Sequence, residues 1–417
     1  MKKLLFVGDL ATAGNWGAQG TSAMLKSMVQ RRYDGWEVAT ITYPSLISDT
    51  PRDGWPVPPQ ARKRTVTARL YTLAKRLLKR VKSHVPQTPP ARPDSVPATA
   101  AEFESAARKM LKEEILPYEG RLLKECDLVF INGEGSLVHS SRNAKKYRRG
   151  GRYDLFLAYV TKKHLQKPCY IVNHTVDPDH PDAEEMIRLV YPMLDHVAVR
   201  EPCSVRELKR IGFAGQCALV PDALFTFQPN PGWTPSEVLK KEIDFERSYI
   251  CLGDSSATPD VHWDIAATYQ ELIIRLMSVC EQVILIDGNS AATNTFSGLA
   301  NKMGIGHVTV SKCSYADLYQ VFKRSLIYLS GRWHPSILSA MAGTPVLLWS
   351  ADSHKTKGFL EMFEYPSCLF PIQQLPEMSD GIIAETQRLL GMRDSLHEML
   401  LRKSQQFAKD ALQNVEF

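Results

Sequence analysis

An arginine and a histidine open a predicted helix in the segment Leu326–Val346, and they form the strongest candidate for a chemical site. The segment predicts a strand, then Gly331, Arg332 and His334, then a helix and a second strand. A helix N-terminus carries partial positive charge, so an anion bound there would meet backbone N–H groups, a guanidinium and an imidazole together. Histidine exchanges protons near neutral pH, which makes His334 a candidate proton donor.

A second candidate arginine follows the apolar run His196–Val199. Arg200 stands where the strand ends and a helix can begin at Pro202, a position from which a guanidinium can grip phosphate or carboxylate with two hydrogen bonds. The alternative is a structural ion pair with Glu201 or Asp222. Asp222 itself is also predicted at a strand end, as an orienting acid.

Two glycine-rich segments follow strands in the first half of the chain. Ile131–Leu137 places Glu134 between two glycines at the carboxyl end of a strand, where ligands of open α/β sheets bind. Glu134 is therefore a candidate general base toward a sugar hydroxyl, the alternative being a sharp turn with an exposed glutamate. Gly14–Ser22 would allow close backbone approach before a helix, or form a turn capped by its Thr or Ser; it matches neither dinucleotide nor Walker spacing.

These candidate residues must be positioned by strands and helices. Along the chain, short apolar runs alternate with segments whose apolar residues recur at helical spacing. Such alternation predicts parallel sheets with helices on both faces. The predicted strands are Leu4–Val7, Val38–Tyr43, Leu128–Asn132, Tyr170–Asn173, His196–Val199, then Tyr249–Gly253, Val283–Asp287, His307–Val310, Leu326–Leu329 and Val346–Trp349. Predicted helices lie near 153–166, 182–194, 202–211, 263–280, 314–324, 334–342 and 381–412. We expect two doubly wound, Rossmann-like α/β domains, 1–228 and 229–417, facing each other across a cleft, the second ending in a long helix.

The first domain is interrupted at about 44–100 by a basic segment whose ends are rich in proline. No acidic residue occurs from Gly54 to Pro93, and leucines recur at helical spacing between the prolines. One interpretation is an interfacial helix, through 62–82, that touches anionic lipid headgroups at about 1 kcal/mol per basic residue. The other is a solvated insertion that packs its leucines onto the domain.

Composition sets limits on partners and location. The 417 residues are 44% hydrophobic and 23% charged, with a net charge of +6 that is concentrated in the insertion, which argues against nucleic-acid binding by the whole protein. The initial apolar run ends at Gly8 and is too short for a signal peptide, and no stretch predicts a spanning helix. We expect a cytoplasmic protein, peripheral to the inner face of the membrane if the insertion binds lipid.

Taken in order, these segments resemble the polysaccharide pyruvyl transferase family. The matching segments are Asn15–Gly17, Gly133–Gly135, Val199–Glu201, Pro221–Phe225, Ser330–His334, Gly343–Pro345, Lys355 and Phe359–Phe363. The resemblance implies a GT-B-like fold and phosphoenolpyruvate as the donor. The implied reaction is ketal pyruvylation of a sugar in a cell-surface polysaccharide precursor. Whether that precursor is attached to a lipid is left open by the sequence. It implies no further cofactor, and we find no metal-ligand spacing.

Residue roles follow from matching positions to the resemblance. Donor binding falls to Arg200, Arg332, Ser330, Gly331 and Lys355. His334 would donate a proton or bind phosphate, and Glu134 would be the base. Residues predicted on the acceptor side are Asn15, Trp16, Gln19, Asn132 and Asp222.

Two other functions remain open from the sequence. A GT-B glycosyltransferase with a nucleotide-sugar donor would share the fold and the anion site, although we find no glutamate run suited to gripping a ribose in the second half. A sugar- or lipid-binding protein without activity is the other alternative, against which the intact Arg332 and His334 argue.

Overall fold

Two parallel β-sheets, each with helices on both faces, make up the protein. The computed structural model describes residues 1–10, 16–42, 96–139, 149–230, 232–288 and 293–417. The first sheet has six strands in the order β2-β1-β3-β4-β5-β6, and the second has five in the order β11-β10-β7-β8-β9. The strands are β1 Lys3–Val7, β2 Glu37–Ile41, β3 Leu128–His139, β4 Cys169–Pro178, β5 His196–Val199, β6 Ala218–Leu219, β7 Tyr249–Ser255, β8 Gln282–Asp287, β9 Gly306–Thr309, β10 Tyr328–Gly331 and β11 Val346–Leu348.

Burial on both faces explains the continuous apolar runs in the sequence. All four residues from Leu4 to Val7 are fully buried, as are Val346, Leu347 and Leu348 in the second sheet. A strand covered by helices on both sides has no polar face to alternate with an apolar one. The predicted fold class, two doubly wound parallel α/β units, is confirmed.

The helices correspond to most of the predicted ones, with differences at their ends. They are α1 Trp16–Arg32, α2 Phe103–Leu111, α3 Pro117–Glu125, α4 Arg149–Tyr159, α5 Pro181–Val190, α6 Pro202–Arg210, α7 Glu237–Glu242, α8 Ile265–Leu276, α9 Thr293–Met303, α10 Tyr315–Arg324, α11 Trp333–Met341, α12 Lys355–Phe363, α13 Ser379–Gly391 and α14 Arg393–Asp410. The helix predicted over 381–412 is two helices that meet at Met392. The helix predicted over 153–166 changes to a π turn at Val160–His164.

The two halves of the chain contact each other directly. Trp16, at the start of α1, stacks on Tyr315 of α10 with ring centroids 4.2 Å apart. At the other end of the chain, Phe417 stacks on His196 of the first sheet. The predicted boundary between 228 and 229 lies between the last strand of the first sheet and the first strand of the second. It stays a prediction, and the chain's last residues pack on the first half.

Most of the basic insertion lies outside the described residues, which resume at Val96. Val96 is buried, and Ala100–Glu102 form a short 3-10 turn that leads into α2. Within the described ranges, no helix combines the length and the apolar character needed to cross a bilayer.

Candidate active site

A cavity of about 260 Å³ lies between the two sheets, and both halves of the chain line it. The first half contributes the start of α1, a stretch within β3 and the residue that follows β5. The second half contributes the start of α11 and the segment before α12. Its described polar and charged lining residues are Trp16, Glu134, Arg200, Ser256, Arg332, Trp333, His334, Asp352 and Lys355.

His334 lies at the second position of α11, whose N-cap is Arg332, as the sequence predicts. The residue is 7% exposed. Its Nε2 atom is 3.6 Å from Glu134 Oε1 and 3.6 Å from Asp222 Oδ2, both longer than a hydrogen bond. Among the described residues Nε2 is a buried nitrogen without a hydrogen-bond partner. Such an atom in a cavity wall indicates a place for a ligand.

Gly17 sets the position of the His334 ring from the other half of the molecule. A Cβ atom at Gly17 would lie 2.2 Å from His334 Nδ1, closer than such contacts occur. The Gly-rich segment after β1 therefore packs a bare helix backbone against the imidazole. Its neighbour Trp16 lines the cavity, and the Trp16 Nε1–H donates to Cys313 O at 3.2 Å. Asn15 lies outside the described residues.

Arg332 is held by a buried carboxylate that the sequence analysis did not identify. Its Nε and Nη2 donate to the two oxygens of Asp254 at 2.8 and 2.5 Å, a bidentate pair in which Asp254 is fully buried. Burial lowers the pKa of Arg332, but the Asp254 carboxylate outweighs it and the pKa is raised. The arginine is therefore a fixed, permanently charged group on the cavity wall.

Ser330 and Gly331 support Arg332 from behind and are not among the described residues that line the cavity. Ser330 Oγ donates to Asp254 O at 2.8 Å and accepts from the Arg332 N–H at 3.1 Å. A Cβ atom at Gly331 would lie 2.4 Å from Ser255 Oγ. Both residues therefore hold a supporting position behind Arg332, and the direct donor contact predicted for them stays a prediction.

Arg200 lines the cavity but is 1% exposed and engaged by the first half of the chain. Its Nη1 donates to Asp222 Oδ2 at 2.8 Å and its Nε to Thr175 Oγ1 at 3.0 Å. Glu134 Oε1 is 3.4 Å from Nη1. Arg200 thus forms the ion pair with Asp222 that the structural alternative predicts, its donor contact stays a prediction, and a donor anion would reach it only beside Glu134.

Glu134 holds a strained backbone position within β3, which runs on to His139, and not at the strand end that the sequence predicted; the pairing of β3 with β4 is irregular just after it. Its φ is +39°, in the left-handed region that a residue with a side chain seldom adopts, and such strain is often found at functional sites. Burial raises the pKa of its carboxyl, but Arg200 and then His334 lower it more, so the net shift is downward. An ionised carboxylate of low pKa suits orienting a hydroxyl better than storing its proton.

Asp222 and Asn132 lie beneath the cavity, not in its wall. Asp222 is fully buried and accepts from Thr21 Oγ1 at 2.5 Å and from Trp333 Nε1 at 3.0 Å, besides Arg200. Although burial opposes it, Arg200 holds the pKa of Asp222 well below its usual range. Asn132, also fully buried, donates to Gly8 O at 3.1 Å. Neither side chain is among the described residues of the cavity wall, and the acceptor contacts predicted for both stay predictions.

Gln19 and Lys355 complete the predicted set. Gln19 is half-buried on α1 and is not among the described lining residues. Lys355 begins α12, lines the cavity, and its Nζ donates to Asp352 Oδ1 at 2.6 Å with the lysine side chain 15% exposed. Of the predicted residues, the structure brings Trp16, Glu134, Arg200, Arg332, His334 and Lys355 to one cavity.

The site is not predominantly cationic, because four carboxylates surround its three described cations. Three described lining residues are cations, namely Arg200, Arg332 and Lys355, and each pairs with a carboxylate. Glu134 and Asp352 lie in the wall and Asp222 and Asp254 behind it. Sequence reasoning missed Asp254 and Asp352, although each follows a predicted strand closely enough to have been a candidate. No three His, Cys, Asp or Glu side chains of the described chain converge to hold a metal ion.

Comparison with known proteins supports the family resemblance seen in the sequence. A family model described as polysaccharide pyruvyl transferase matches residues 71–353. No curated protein sequence matches the chain significantly.

Solved structures with the same overall fold include sugar-nucleotide enzymes at low identity. A putative UDP-N-acetylglucosamine 2-epimerase from Listeria monocytogenes is 12% identical with a TM-score of 0.55, covering 96% of this chain and 90% of that chain. UDP-GlcNAc 2-epimerase from Neisseria meningitidis, bound to UDP-GlcNAc, is 10% identical with a TM-score of 0.51, covering 99% and 100%. Arabidopsis thaliana UGT89C1, complexed with quercetin, is 10% identical with a TM-score of 0.52, covering 99% and 97%. These likenesses show the GT-B-like fold.

Proposed function

Because the chain belongs to the polysaccharide pyruvyl transferase family, we propose that it transfers the pyruvyl group of phosphoenolpyruvate onto two hydroxyls of one sugar in a cell-surface polysaccharide precursor. The observation that carries the proposal is His334 Nε2, a buried nitrogen without a hydrogen-bond partner among the described residues, in a cavity shared with Arg332 and Lys355. That combination offers a proton and two cations to one small anion.

The size of the cavity supports a small donor. Pockets for drug-sized ligands measure roughly 300–1,000 Å³, and this one measures about 260 Å³. A three-carbon phosphate ester and the edge of a sugar ring suit that volume better than a complete nucleotide sugar does.

The reaction balances without an added oxidant or reductant. Two hydroxyl oxygens of the sugar each form a bond to the enol carbon of phosphoenolpyruvate, and the bond from that carbon to the phosphate oxygen breaks. The methylene carbon gains one proton and becomes a methyl group. Of the two hydroxyl protons released, one balances that gain and the other leaves with phosphate or solvent. The products are a pyruvate ketal and inorganic phosphate.

The residues at the cavity divide these tasks. His334 donates the proton to the methylene carbon, with Glu134 and Asp222 oxygens 3.6 Å from Nε2 available to hold the imidazolium. Arg332 and Lys355, the more exposed cations, bind the carboxylate and phosphate of the donor. Glu134 accepts a hydrogen bond from the attacking hydroxyl and aligns it. These roles place donor binding mainly in the second half and acceptor alignment in the first.

We also propose that the enzyme acts at the cytoplasmic face of the membrane, which it touches through the basic segment 62–82, whether or not the acceptor is lipid-linked. The support is the charge pattern of the sequence, which has no acidic residue from Gly54 to Pro93. Deleting residues 60–93 should reduce sedimentation with anionic vesicles and leave turnover on a soluble acceptor unchanged. Equal vesicle binding by the deleted and complete proteins would contradict lipid contact.

The test of the function is incubation with phosphoenolpyruvate and a panel of nitrophenyl and lipid-linked sugars. Phosphate release should accompany an acceptor mass gain equal to one pyruvic acid minus one water. His334→Ala should reduce both signals to a small residual rate. A parallel panel of nucleotide sugars tests the alternative, because release of a nucleoside diphosphate with glycosyl transfer, and none with phosphoenolpyruvate, would make the protein a glycosyltransferase.

A further inference from the structure

A second histidine, outside the cavity, joins the two halves of the chain beside the proposed donor site. His354 is the N-cap of α12 in the second half. Its Nε2 is 3.2 Å from Glu201 Oε1, and its Nδ1 is 3.5 Å from Asp177 Oδ1, both residues of the first half. The His354 backbone N–H also donates to Asp177 Oδ2 at 3.2 Å. The imidazole therefore lies between two carboxylates of the opposite half, and Ser204 Oγ, which also contacts Glu201 Oε1, is 3.4 Å from its Nε2.

The packing around this junction leaves little room for it to adjust. Glu201 is fully buried and caps α6, accepting from the Ser204 N–H at 3.1 Å. A Cβ atom at Gly358 of α12 would lie 2.8 Å from Glu201, so the two helices touch at this point. The His354 side chain itself is 17% exposed. The junction thus joins the N-terminus of α6 to the N-terminus of α12.

Two cations of the cavity, Arg200 and Lys355, are adjacent in sequence to the residues of this junction. Glu201 follows Arg200, and His354 precedes Lys355. A contact that fixes Glu201 against His354 also fixes the backbones of those two cations relative to each other. We propose that His354, as an imidazolium shared by Glu201 and Asp177, is a positioning residue that sets the distance between Arg200 and Lys355 across the cavity. The effect on donor binding rests on the proposed function.

Two carboxylates need two N–H donors, which a histidine offers only when it is protonated. Among the described residues, the charged groups around the ring are Asp177 at the end of β4, Glu201 and Glu207 on α6, and Lys355 on its own helix, which is paired with Asp352. Burial lowers the pKa of His354, but the Glu201 hydrogen bond and the carboxylates outweigh it and the pKa is raised. The junction is therefore complete below the ordinary histidine pKa of about 6.5 as long as Asp177, whose pKa burial raises, is ionised, and it weakens as pH rises through the higher value of the folded state.

Hydrogen exchange of the α12 amides, Lys355–Phe363, tests the junction without any substrate. His354→Gln keeps a hydrogen-bonding side chain but removes the charge and the second donor nitrogen, because the amide oxygen only accepts. The matched control is His164→Gln, because His164 is 18% exposed, lies 3.2 Å from Glu104, and makes that contact within the first half. At about pH 6 we expect exchange in His354→Gln to be about tenfold faster than in wild type, which corresponds to about 1.4 kcal/mol. At about pH 9 the two should agree, and the control should match wild type at both values.

Kinetics connects the junction to the site. The KM for phosphoenolpyruvate should rise about tenfold in His354→Gln at the lower pH, with kcat changed by no more than about twofold, and the difference should vanish at the higher pH. If His354→Gln does not fold, Asp177→Asn removes one of the two carboxylates and should give a smaller shift of the same sign. Exchange and KM ratios equal to those of the control at both pH values would overturn the proposal. A different outcome would overturn the proposed function alone. In that outcome His354→Gln shows the faster exchange at the lower pH, but the wild-type protein does not turn over phosphoenolpyruvate.

Discussion

Gly17→Ala adds one methyl group to the face of α1 that packs against the imidazole of His334. The added carbon would lie 2.2 Å from His334 Nδ1, 2.6 Å from Cγ and 2.8 Å from Cβ. Ordinary van der Waals contact begins at about 3.4 Å. The ring must therefore retreat by about 1.2 Å, or the helix must move with Trp16, which is stacked on Tyr315.

The magnitude follows from what that displacement does to proton donation. A misplacement of about 1 Å at a reacting group costs on the order of 100-fold in rate, or about 2.7 kcal/mol. Alanine should also favour the helix by roughly 0.5–1 kcal/mol over glycine, against an overpacking cost of about 1–3 kcal/mol. We expect kcat for phosphate release to fall about 100-fold, while the free energy of unfolding falls by no more than about 2 kcal/mol.

The assay is steady-state phosphate release from phosphoenolpyruvate with the best acceptor, alongside denaturant unfolding of each variant. Gly298→Ala is the matched control, because Gly298 is also within a helix and a Cβ atom there meets nothing within 4 Å. It should keep wild-type kcat and gain roughly 0.5–1 kcal/mol of stability.

A double mutant separates displacement of His334 from general damage. If Gly17→Ala acts through the imidazole, then adding it to His334→Ala should change the residual rate very little, because the two effects are not independent. A folded Gly17→Ala variant with kcat within about twofold of wild type, or full additivity in the double mutant, would refute the reasoning.

Three further perturbations are predicted. Asp254→Asn leaves Arg332 without its buried partner, so the free energy of unfolding should fall by about 3 kcal/mol and the KM for phosphoenolpyruvate should rise; an unchanged KM would contradict donor binding by Arg332. Asp222 has a lowered folded pKa, so its stabilisation is lost as pH falls below about 4, and Asp222→Asn should show a shallower loss of unfolding free energy there than wild type. Trp16→Phe removes the hydrogen bond to Cys313 O and should cost about 1 kcal/mol, with little change in acceptor KM because the ring is kept; a large rise in that KM would show that the indole N–H takes part in acceptor binding.

Much of the fold could be predicted because its signals are local. Continuous apolar runs such as Leu4–Val7 mark strands buried on both faces, and the structure has them in the predicted places. The two-residue strand Ala218–Leu219 was not predicted, because it is too short to carry a period and Leu219 is exposed. The break at Met392 was not predicted either, since the helical periodicity continues across it.

The sequence predicted only those residues of the site whose position depends on the end of a strand or the start of a helix. His334 and Arg332 lie where the sequence places them, at the start of a helix that follows a strand. Asp254, the partner of Arg332, comes from a strand 78 residues earlier, so the pair depends on β7 and β10 being neighbours in the sheet. Asn132 shows the opposite limit, because a strand end facing the cleft and one buried under it have the same local pattern.

Contacts between the two halves of the chain could not be predicted from local sequence patterns. The sequence indicates that Gly17 allows close approach but not that His334 is what approaches. Likewise His354 and Glu201 are 153 residues apart and meet only because the two sheets face each other.

The most direct test of the central claim is to follow the bridging oxygen of the donor. Phosphoenolpyruvate labelled with a heavy oxygen isotope at the atom that bridges its enol carbon and phosphorus is incubated with enzyme and acceptor. The masses of the products are then measured by mass spectrometry. Pyruvyl transfer breaks the bond between carbon and that oxygen, so the label should appear in inorganic phosphate, in proportion to ketal formed on the sugar. Label retained in free pyruvate, or an acceptor that gains no pyruvyl group, would contradict the account.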